Sequence, residues 1–412
     1  MLDQVAAREE VSIFGHEELF FSRTDERGVI LAGNDVFFRV SKYSSDQMIG
    51  APHKIVRHPD MPKGLFWLIW DRLGQGLPVG AYVKNLASDG SYYWVYAIMS
   101  PAPGGYLSIR LKPSSGTFEQ IEKIYADLRS QELTEDLSAE ASARRMLEEL
   151  EGLGWSSYSA FMIHALVAET QARDKARNLP HTPTTQSIVE LQSHTTNSLE
   201  IAQSVLNSFA TIAGFPVNMQ IQASKLKASG KIFGSIADNY ERLCRRVEVC
   251  MKEFIDTRKA TSVLMDEGLY RLISIQYASE MSSAFEREAN LYAHLAEEAD
   301  GECVSDNGEA ERIRQSEQLT LKEAQEGLGR ISSQYKDFSR LINDMLGVLS
   351  ALSVTQFVGL VETARLNQSG QTLNAMLQDV TTVQNEAIDS LNTLANLNNS
   401  ISSRIKSLSS GL

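Results

Sequence analysis

Proline placement constrains the fold of this 412-residue chain more than any other feature of its sequence. The last proline is Pro216, and the 196 residues that follow it are rich in leucine, glutamate, glutamine, serine and alanine. Because proline removes a backbone donor and clashes with the preceding helical turn, a proline-free stretch of this composition predicts long helices. Seven of the ten prolines lie at or before Pro113, so the N-terminal part is expected to fold differently.

Apolar residues in the C-terminal part recur at alternating steps of three and four. This is the spacing of a coiled-coil seam, in which positions a and d of each heptad face a neighbouring helix. Gln384 and Asn398 are polar positions within one seam, and the acidic segment 297–311 predicts an exposed turn. The three seams are Phe233, Ile236, Tyr240, Leu243, Val247, Cys250 and Phe254; Leu321, Ala324, Leu328, Ile331, Tyr335, Phe338, Ile342, Met345, Leu349 and Leu352; and Val380, Ala387, Leu391, Leu394, Ile401, Ile405 and Leu408.

An internal repeat indicates how these helices are organised. The segment I-Q-A-S-K-L-K-A-S-G at 221–230 matches V-E-T-A-R-L-N-Q-S-G at 361–370, and each copy precedes a heptad helix. The repeat predicts that residues 181–412 form antiparallel helical hairpins packed as a four-helix bundle, within one chain or shared by a dimer. Chance similarity between short helical segments is the alternative interpretation.

Residues 1–116 show the pattern of a small α+β domain. Two short strands are predicted at Leu19–Ser22 and Gly28–Ala32, followed by a helical middle. Three further strands, Gly80–Leu86, Ser91–Met99 and Tyr106–Leu111, are separated by the turn signals Ala87-Ser88-Asp89-Gly90 and Pro101 to Gly105. Five strands in this order predict an antiparallel sheet with one cupped face, which is the layout of a PAS domain.

Residues 117–180 lie between the sheet and the predicted hairpins. They read as charged helices that connect the two parts of the chain. The segment N-L-P-H-T-P-T at 178–184 predicts a linker, because its two prolines interrupt any helix. Thr182 or Thr184 is expected to cap the helix that follows.

The strongest local motif is K-I-V-R-H-P-D-M-P at residues 54–62. Asn34 precedes it, and Val83-Lys84-Asn85, Tyr92-Tyr93-Trp94 and Gly105-Tyr106 follow it. Over residues 15–115 this order of motifs resembles the aerotaxis-receptor (Aer-type) PAS family. The resemblance implies a non-covalently bound FAD whose redox state the domain reports. The family's flavin-binding positions correspond to Asn34, Arg57, His58, Asp60 and Asn85.

One position departs from the family pattern. Val79 stands where the family commonly has a tryptophan, between the proline and the glycine before the Val-Lys-Asn strand. Loss of an aromatic ring near the flavin implies weaker binding or a shifted redox potential.

The chemistry of these residue types fits a flavin pocket. An isoalloxazine ring is flat and apolar with a polar edge, so its pocket needs hydrophobic walls and a few fixed donors. Arg57 and His58 can donate to ring carbonyls or to the pyrophosphate, and Asn85 can pair with the ring edge. Asp60 can orient Arg57 or His58.

Simpler structural roles remain open for several of these residues. Asp60 could instead cap the helix that begins near Met61, and His58 could be an ordinary packed histidine. We interpret Trp67 and Trp70 as core residues rather than cofactor contacts.

Composition excludes several classes of protein. A formal net charge of -13 without a basic block argues against nucleic acid and anionic lipid as partners. The charged N-terminus argues against a signal peptide, and the lack of an 18-residue apolar run argues against a membrane span. Three cysteines without metal-site spacing suit a reducing cytoplasm. The histidines do not cluster, and neither a nucleotide-binding nor a catalytic motif occurs, so we expect neither a metal site nor an enzyme.

Together these patterns predict a soluble redox or oxygen sensor of an aerotaxis or chemotaxis type. The C-terminal half weakly resembles a divergent methyl-accepting chemotaxis signalling region, although the full tip sequence is missing. That resemblance implies a homodimer that binds a chemotaxis adaptor and histidine kinase, or another signalling protein. The alternatives are a ligand-free PAS scaffold that dimerises, and a haem-binding PAS gas sensor with His53 or His58 as the axial ligand.

Overall fold

The computed structural model divides the chain into two compact units. The first combines residues 14–186 with residues 265–327, and the second combines residues 187–264 with residues 328–411. The residues that the structure describes are 14–211, 214–225, 230–298, 308–366 and 370–411, with side chains for all of these except 211 and 289–298. The predicted sheet domain and connector therefore both lie in the first unit, which also includes a part of the predicted hairpins.

Five antiparallel strands form the sheet of the first unit, in the order β2-β1-β5-β4-β3. Glycines at positive φ make the two hairpin turns of its last three strands, Gly90 at 86° and Gly104 at 78°, and Gly28 at 78° lies in the hairpin turn between the first two strands. The β4 strand continues through Pro101 to Ala102, so the second turn is shorter than the sequence indicates. The predicted five-stranded PAS sheet is confirmed. The strands are β1 Phe20–Thr24, β2 Ile30–Gly33, β3 Val79–Leu86, β4 Tyr92–Ala102 and β5 Gly105–Leu111.

Short helices follow β2, and longer helices follow β5. Serine side chains cap three of them, since Ser115, Ser138 and Ser157 each accept a hydrogen bond from the N–H three residues later. The helices are α1 Asp35–Ser41, α2 Ser45–Met48, a 3₁₀ turn at His53–Val56, α3 Lys63–Gly74, α4 Gly116–Thr134, α5 Ala139–Gly152 and α6 Tyr158–Ala176.

The two faces of the sheet have different neighbours, because side chains alternate along a strand. On one face, the Tyr96 hydroxyl donates to the carbonyl of Met162 in α6 at 3.0 Å. A Cβ atom on Gly80 would collide with the hydroxyls of Tyr96 and Tyr270, so only glycine allows this close packing. The opposite, cupped face lies towards α3 and the 3₁₀ turn.

Long helices make up the second unit and the remainder of the first. Polar contacts tie them together in pairs: α7 to α9 through Ser198 and Arg258, α9 to α11 through Tyr240 and Gln384, and α10 to α11 through the Tyr335 carbonyl. This is the predicted bundle of antiparallel helices. The helices are α7 Pro183–Thr211, α8 Phe215–Ser224, α9 Gly230–Glu298, α10 Glu309–Arg365 and α11 Gln371–Ser410.

The heptad seams of α10 and α11 are buried as predicted, apart from their half-buried end residues Leu321 and Leu408. In α9 five of the seven predicted seam residues are buried, and two are not. Leu243 and Cys250 are half-buried, while Cys244 and Met251 are buried. A helix that contacts neighbours on two sides buries a wider stripe than an isolated seam requires.

The two copies of the repeat share a backbone feature. A Cβ on Gly230 would collide with the carbonyl oxygen of Ala223, and a Cβ on Gly370 with that of Thr363, in each case seven residues earlier. The shared close approach explains why both copies end in glycine. Residues 226–229 and 367–369 lie outside the described residues, as does 299–307 within the predicted acidic turn.

The predicted linker ends where α7 begins. The Thr182 hydroxyl accepts a hydrogen bond from the Thr185 N–H at 3.2 Å, so Thr182 serves as the predicted cap. Among the described helices, α10 is long and apolar enough to cross a membrane by length and composition, with an 18-residue window of mean hydropathy 1.6. Buried core helices pass the same test, and 39% of that window is buried.

Candidate ligand-binding site

A cavity of about 380 Å³ lies between the cupped face of the sheet, α3 and the 3₁₀ turn. Its volume is within the range of about 300–1,000 Å³ that is typical of small-molecule sites. Polar side chains occur mainly at its two ends. The apolar walls are Val56, Ile69, Leu73, Val83, Ala97 and Met99.

Arg57 and Asn85 lie together at one end of this cavity. An isolated β-bridge joins their backbones, so the residue after the 3₁₀ turn is fixed against β3. The Arg57 guanidinium lies over the Phe66 ring, 3.8 Å from its centre. Burial lowers the pKa of Arg57, opposed by the Glu132 carboxylate. Two of the five predicted site residues therefore line one cavity.

Asn34 lies outside the cavity lining. Its Oδ1 accepts the Phe21 N–H at 3.2 Å, and its Nδ2 donates to the Leu19 carbonyl at 3.2 Å. Although Asn34 precedes α1, its side chain makes no hydrogen bond to the helix backbone. It holds β1 against the start of α1 and so supports the sheet that forms the cavity.

His58 and Asp60 also lie outside the lining, next to Lys84 of β3. The His58 Nδ1 accepts the Asp60 N–H at 3.2 Å, and burial lowers the pKa of His58, with a further contribution from Lys84. The Asp60 carboxylate accepts from Lys84 Nζ at 2.8 Å instead of capping α3, whose N-cap is Pro62. In the hydrogen bond between His58 and Asp60 the Asp60 backbone is the donor, so the orienting role expected of its side chain stays a prediction.

The other end of the cavity holds a buried arginine that the sequence interpretation missed. Arg110 on β5 is 3% exposed, and its Nη2 donates to Ser22 Oγ at 2.8 Å and His53 Nε2 at 2.7 Å. Burial lowers its pKa to about 10, so it remains a cation at neutral pH. The signal was present, because alternation along Leu107 to Leu111 places Ser108 and Arg110 on one face.

His53 is neutral in this environment. Burial lowers its pKa to about 3, and the charge of Arg110 contributes. Since a guanidinium only donates, the His53 Nε2 must accept from Arg110, which places the ring proton on Nδ1. The lone pair that would ligate iron is therefore engaged, which disfavours His53 as a haem ligand.

Two donors at the Arg110 end have no hydrogen-bond partner among the described residues. They are Arg110 Nη1 and Ser108 Oγ, both buried, and both residues line the cavity. Buried polar groups are nearly always paired, because an unpaired one loses the hydrogen bonds it made to water. This end of the cavity therefore has capacity for a ligand's acceptor atoms.

An open groove along α3 adjoins the cavity. It shares Arg57, Phe66 and Trp70 with the cavity lining and adds Lys63 and Trp67. Trp67 and Trp70 are 39% and 44% exposed, so their interpretation as core residues is wrong. The reason is that α3 buries the opposite face, which carries Leu65, Leu68 and Leu73.

No group of three or more histidine, cysteine, aspartate or glutamate side chains within the described ranges is placed to hold a metal ion. Cys244 is a buried thiol whose pKa burial raises to about 12, and Cys250 is half-buried. Cys303 lies outside the described residues.

No family model matches this chain. Among curated proteins, the aerotaxis receptor of Escherichia coli (strain K12) is 38% identical over 114 residues. The match covers 26% of this chain and 22% of the receptor, so the chain corresponds to about a fifth of the receptor's length. A segment of this chain is therefore homologous to a segment of that receptor.

Among solved structures, the Erythrobacter litoralis EL346 blue-light activated histidine kinase aligns with a TM-score of 0.23 and 11% sequence identity. That alignment covers 38% of this chain and 53% of the kinase. A likeness at this level carries no argument about function.

Proposed function

We propose that this chain is a flavin-dependent redox or oxygen sensor in signal transduction, with FAD in the cavity of the first unit and the helical bundle as output. The observation that supports it is an apolar cavity with Arg57 and Asn85 at one end. Both residues belong to the motifs that resemble the aerotaxis-receptor family, and a segment of the chain is 38% identical to such a receptor.

The residues around the cavity suit a flavin. Apolar walls accept the flat faces of an isoalloxazine ring, and donors at both ends can reach its polar edge. When bound, FAD supplies a group that takes up and releases electrons reversibly. Arg57 and Asn85 would bind the ring or its phosphates at one end, and the Phe66 ring holds the Arg57 guanidinium in place.

The groove along α3 favours FAD over a shorter flavin. An exposed indole offers a flat surface for a purine, and the cations Arg57 and Lys63 suit phosphates. Because the groove shares residues with the cavity, one elongated ligand can occupy both. An adenine dinucleotide has that length and that distribution of charge.

The sheet is the element that can pass a change in the cavity to the helices. Val83 on β3 lines the cavity, while the neighbouring Tyr82 points to the other face and donates to Glu169 of α6 at 2.8 Å. Ser115, at the start of α4, donates to the same carboxylate at 2.5 Å. A coupling of about 1–3 kcal/mol between cavity and helices is enough to shift a signalling equilibrium.

The remaining parts of the proposal rest on the resemblance. They are a non-enzymatic, cytoplasmic homodimer whose bundle binds a chemotaxis adaptor or histidine kinase, or another signalling protein. The alternative function is a ligand-free dimerisation scaffold, which differs from a flavoprotein in its visible absorption. The scaffold would be colourless.

An absorption spectrum of the purified protein tests the proposal. We expect a flavin spectrum, release of FAD on denaturation, and loss of FAD in Arg57→Ala and Asn85→Ala. The matched control is Asn197→Ala, at an exposed position of α7. Colourless protein that binds no added FAD would contradict the proposal and favour the ligand-free scaffold. A Soret band would instead identify a haem protein.

A further inference from the structure

The charge of Arg110 is not balanced within the cavity. Among the described residues, no aspartate or glutamate forms an ion pair with it, and the ionisable groups that face it are His53 and Tyr93. His53 is neutral, and burial raises the pKa of Tyr93. A buried cation is ordinarily paired with a carboxylate, since removal from water is otherwise costly.

Two donors of this cluster have no hydrogen-bond partner among the described residues. Nη2 of Arg110 is used by Ser22 and His53, which leaves Nη1. Ser108 lies two residues earlier on the same face of β5, and its hydroxyl is also unpaired. The rings of Phe37 and Phe20 lie 5.0 and 5.7 Å from the guanidinium carbon and limit where it can move. The cluster is therefore fixed, charged and incomplete.

We infer that Arg110 and Ser108 bind the acceptor edge of a planar ring in this cavity, namely a carbonyl oxygen or an unprotonated ring nitrogen. In the proposed function, on which this inference builds, that edge is the imide edge of the flavin. Arg110 supplies the charge-assisted hydrogen bond, and Ser108 supplies a neutral one. His53 is a positioning residue, because its Nε2 accepts a hydrogen bond from Arg110.

The inference also sets the direction of the ligand. Asn85 pairs with Tyr93 on β4, whereas Arg110 pairs with Ala97, four residues further along that strand. At about 3.3 Å per residue, Asn85 and Arg110 are separated by roughly 13 Å along β4. A ring with its acceptor edge at Arg110 therefore extends its substituent towards Arg57 and the groove.

Binding of FAD to variants of the full chain tests this assignment. We expect Arg110→Met to weaken FAD binding at least 10-fold and Ser108→Ala about 3-fold, measured by quenching of flavin fluorescence. The control is Arg145→Met. Arg145 lies on α5 and forms a surface ion pair with Glu135, so this variant should bind FAD as the wild type does.

Two further readouts separate binding from a merely structural role. Without ligand, Arg110→Met should unfold at the same or a higher temperature, because it removes an unbalanced buried charge. In the complex, Arg110→Met should raise the pKa of the ring's imide N–H, followed by absorbance, since the nearby cation favours the ionised imide. If Arg110→Met fails to fold, Arg110→Lys keeps the charge with fewer donors and should show an intermediate loss of affinity.

Lumichrome, a ring with the same imide edge but no side chain, distinguishes the two proposals. Equal FAD affinity in wild type and Arg110→Met would overturn the inference and leave the flavin proposal intact. Lumichrome that raises the unfolding temperature of wild type but not of Arg110→Met, without any FAD binding, would support the inference and overturn the proposed cofactor. Binding of neither compound to the wild type would overturn both.

Discussion

Each of the two units buries an arginine that forms no ion pair among the described residues, and these two arginines have different surroundings. Arg258 in the bundle is 1% exposed, and its Nε and Nη2 donate to Ser198 Oγ at 3.2 and 2.9 Å. The rings of Tyr335 and Phe338 cover its guanidinium at 4.4 and 5.2 Å. Arg110 is 3% exposed, but it lines a cavity.

This difference indicates under which conditions a buried charge is evidence for a ligand-binding site. A cation that is closely covered by aromatic rings and hydroxyls is stabilised by the fold itself. Both arginines keep an Nη1 without a hydrogen-bond partner among the described residues, but Arg110 also lines a cavity with room for a ligand. Burial alone is therefore a weak indicator of a binding site, and burial next to a cavity is a much stronger one.

Asp266 on α9 extends the comparison to a buried carboxyl group, and it carries the largest expected effect. Burial raises its pKa from 3.8 to about 7, with Glu267 contributing. The pKa of Asp266 is higher in the folded than in the unfolded state, so ionisation of this carboxyl group destabilises the fold. This destabilisation is absent below about pH 4, grows as pH rises and is complete above pH 7. We expect Asp266→Asn to be more stable than wild type by up to about 4 kcal/mol at pH 8.

Denaturant unfolding of Asp266→Asn at pH 5 and pH 8 measures this effect. The gap between variant and wild type should be wider at pH 8. Glu267→Gln is the neighbouring control, and it should destabilise the protein because Glu267 pairs with Arg72 at 3.1 Å. A gap that does not change with pH would show that Asp266 is not buried as described.

Truncation of the two arginines tests the comparison directly. We expect Arg258→Ala to lower the free energy of unfolding by about 3 kcal/mol, because it opens a hole beneath two rings. Arg110→Ala should lower it by less than about 1 kcal/mol in ligand-free protein, since the space beside it is already open. Thermal unfolding of both variants gives the answer, and equal losses would remove the distinction.

Asn398 shows the smaller effect of a buried polar group that carries no charge. Its Nδ2 donates to the Tyr335 carbonyl at 3.0 Å and to Ser339 Oγ at 2.7 Å. We expect Asn398→Ala to cost about 1–2 kcal/mol in the free energy of unfolding. The adjacent Asn399 is exposed, so Asn399→Ala should have almost no effect in the same assay.

Phe357 provides the lower limit of the series. It is 66% exposed on α10 and lies four residues before the second copy of the repeat, as the exposed Val217 does before the first. Phe357→Ser should change the free energy of unfolding by less than about 0.5 kcal/mol. Phe338→Ala on the same helix removes a buried ring and should cost about 3 kcal/mol or more. A large loss in Phe357→Ser would show that a partner covers it.

Much of the fold could be predicted because its signals are periodic. Alternation and glycine turns located all five strands within three residues at each end, and heptads located the buried stripe of α10. The two predicted α9 positions that are not buried, Leu243 and Cys250, have a physical reason. A heptad pattern reports that a helix packs against a neighbour, but it does not report how many neighbours there are.

The site was harder to predict than the fold. Arg57 and Asn85 belong to motifs with a recognisable order, and the structure brings them to one cavity. Arg110 has no such motif, and a charged residue in a strand normally indicates a solvent-facing side. Only the position of β5 in the middle of the sheet makes Arg110 a cavity residue.

The discontinuous first unit has a consequence for biosynthesis. Phe285 of α9 packs edge-on against Phe21 of β1, with ring centres 5.2 Å apart, yet the ribosome adds it 264 residues later. At about 5–20 residues per second, that interval is on the order of 10–50 s. During that time a nascent chain carries an apolar sheet surface without its final cover, which makes it a natural client for chaperones.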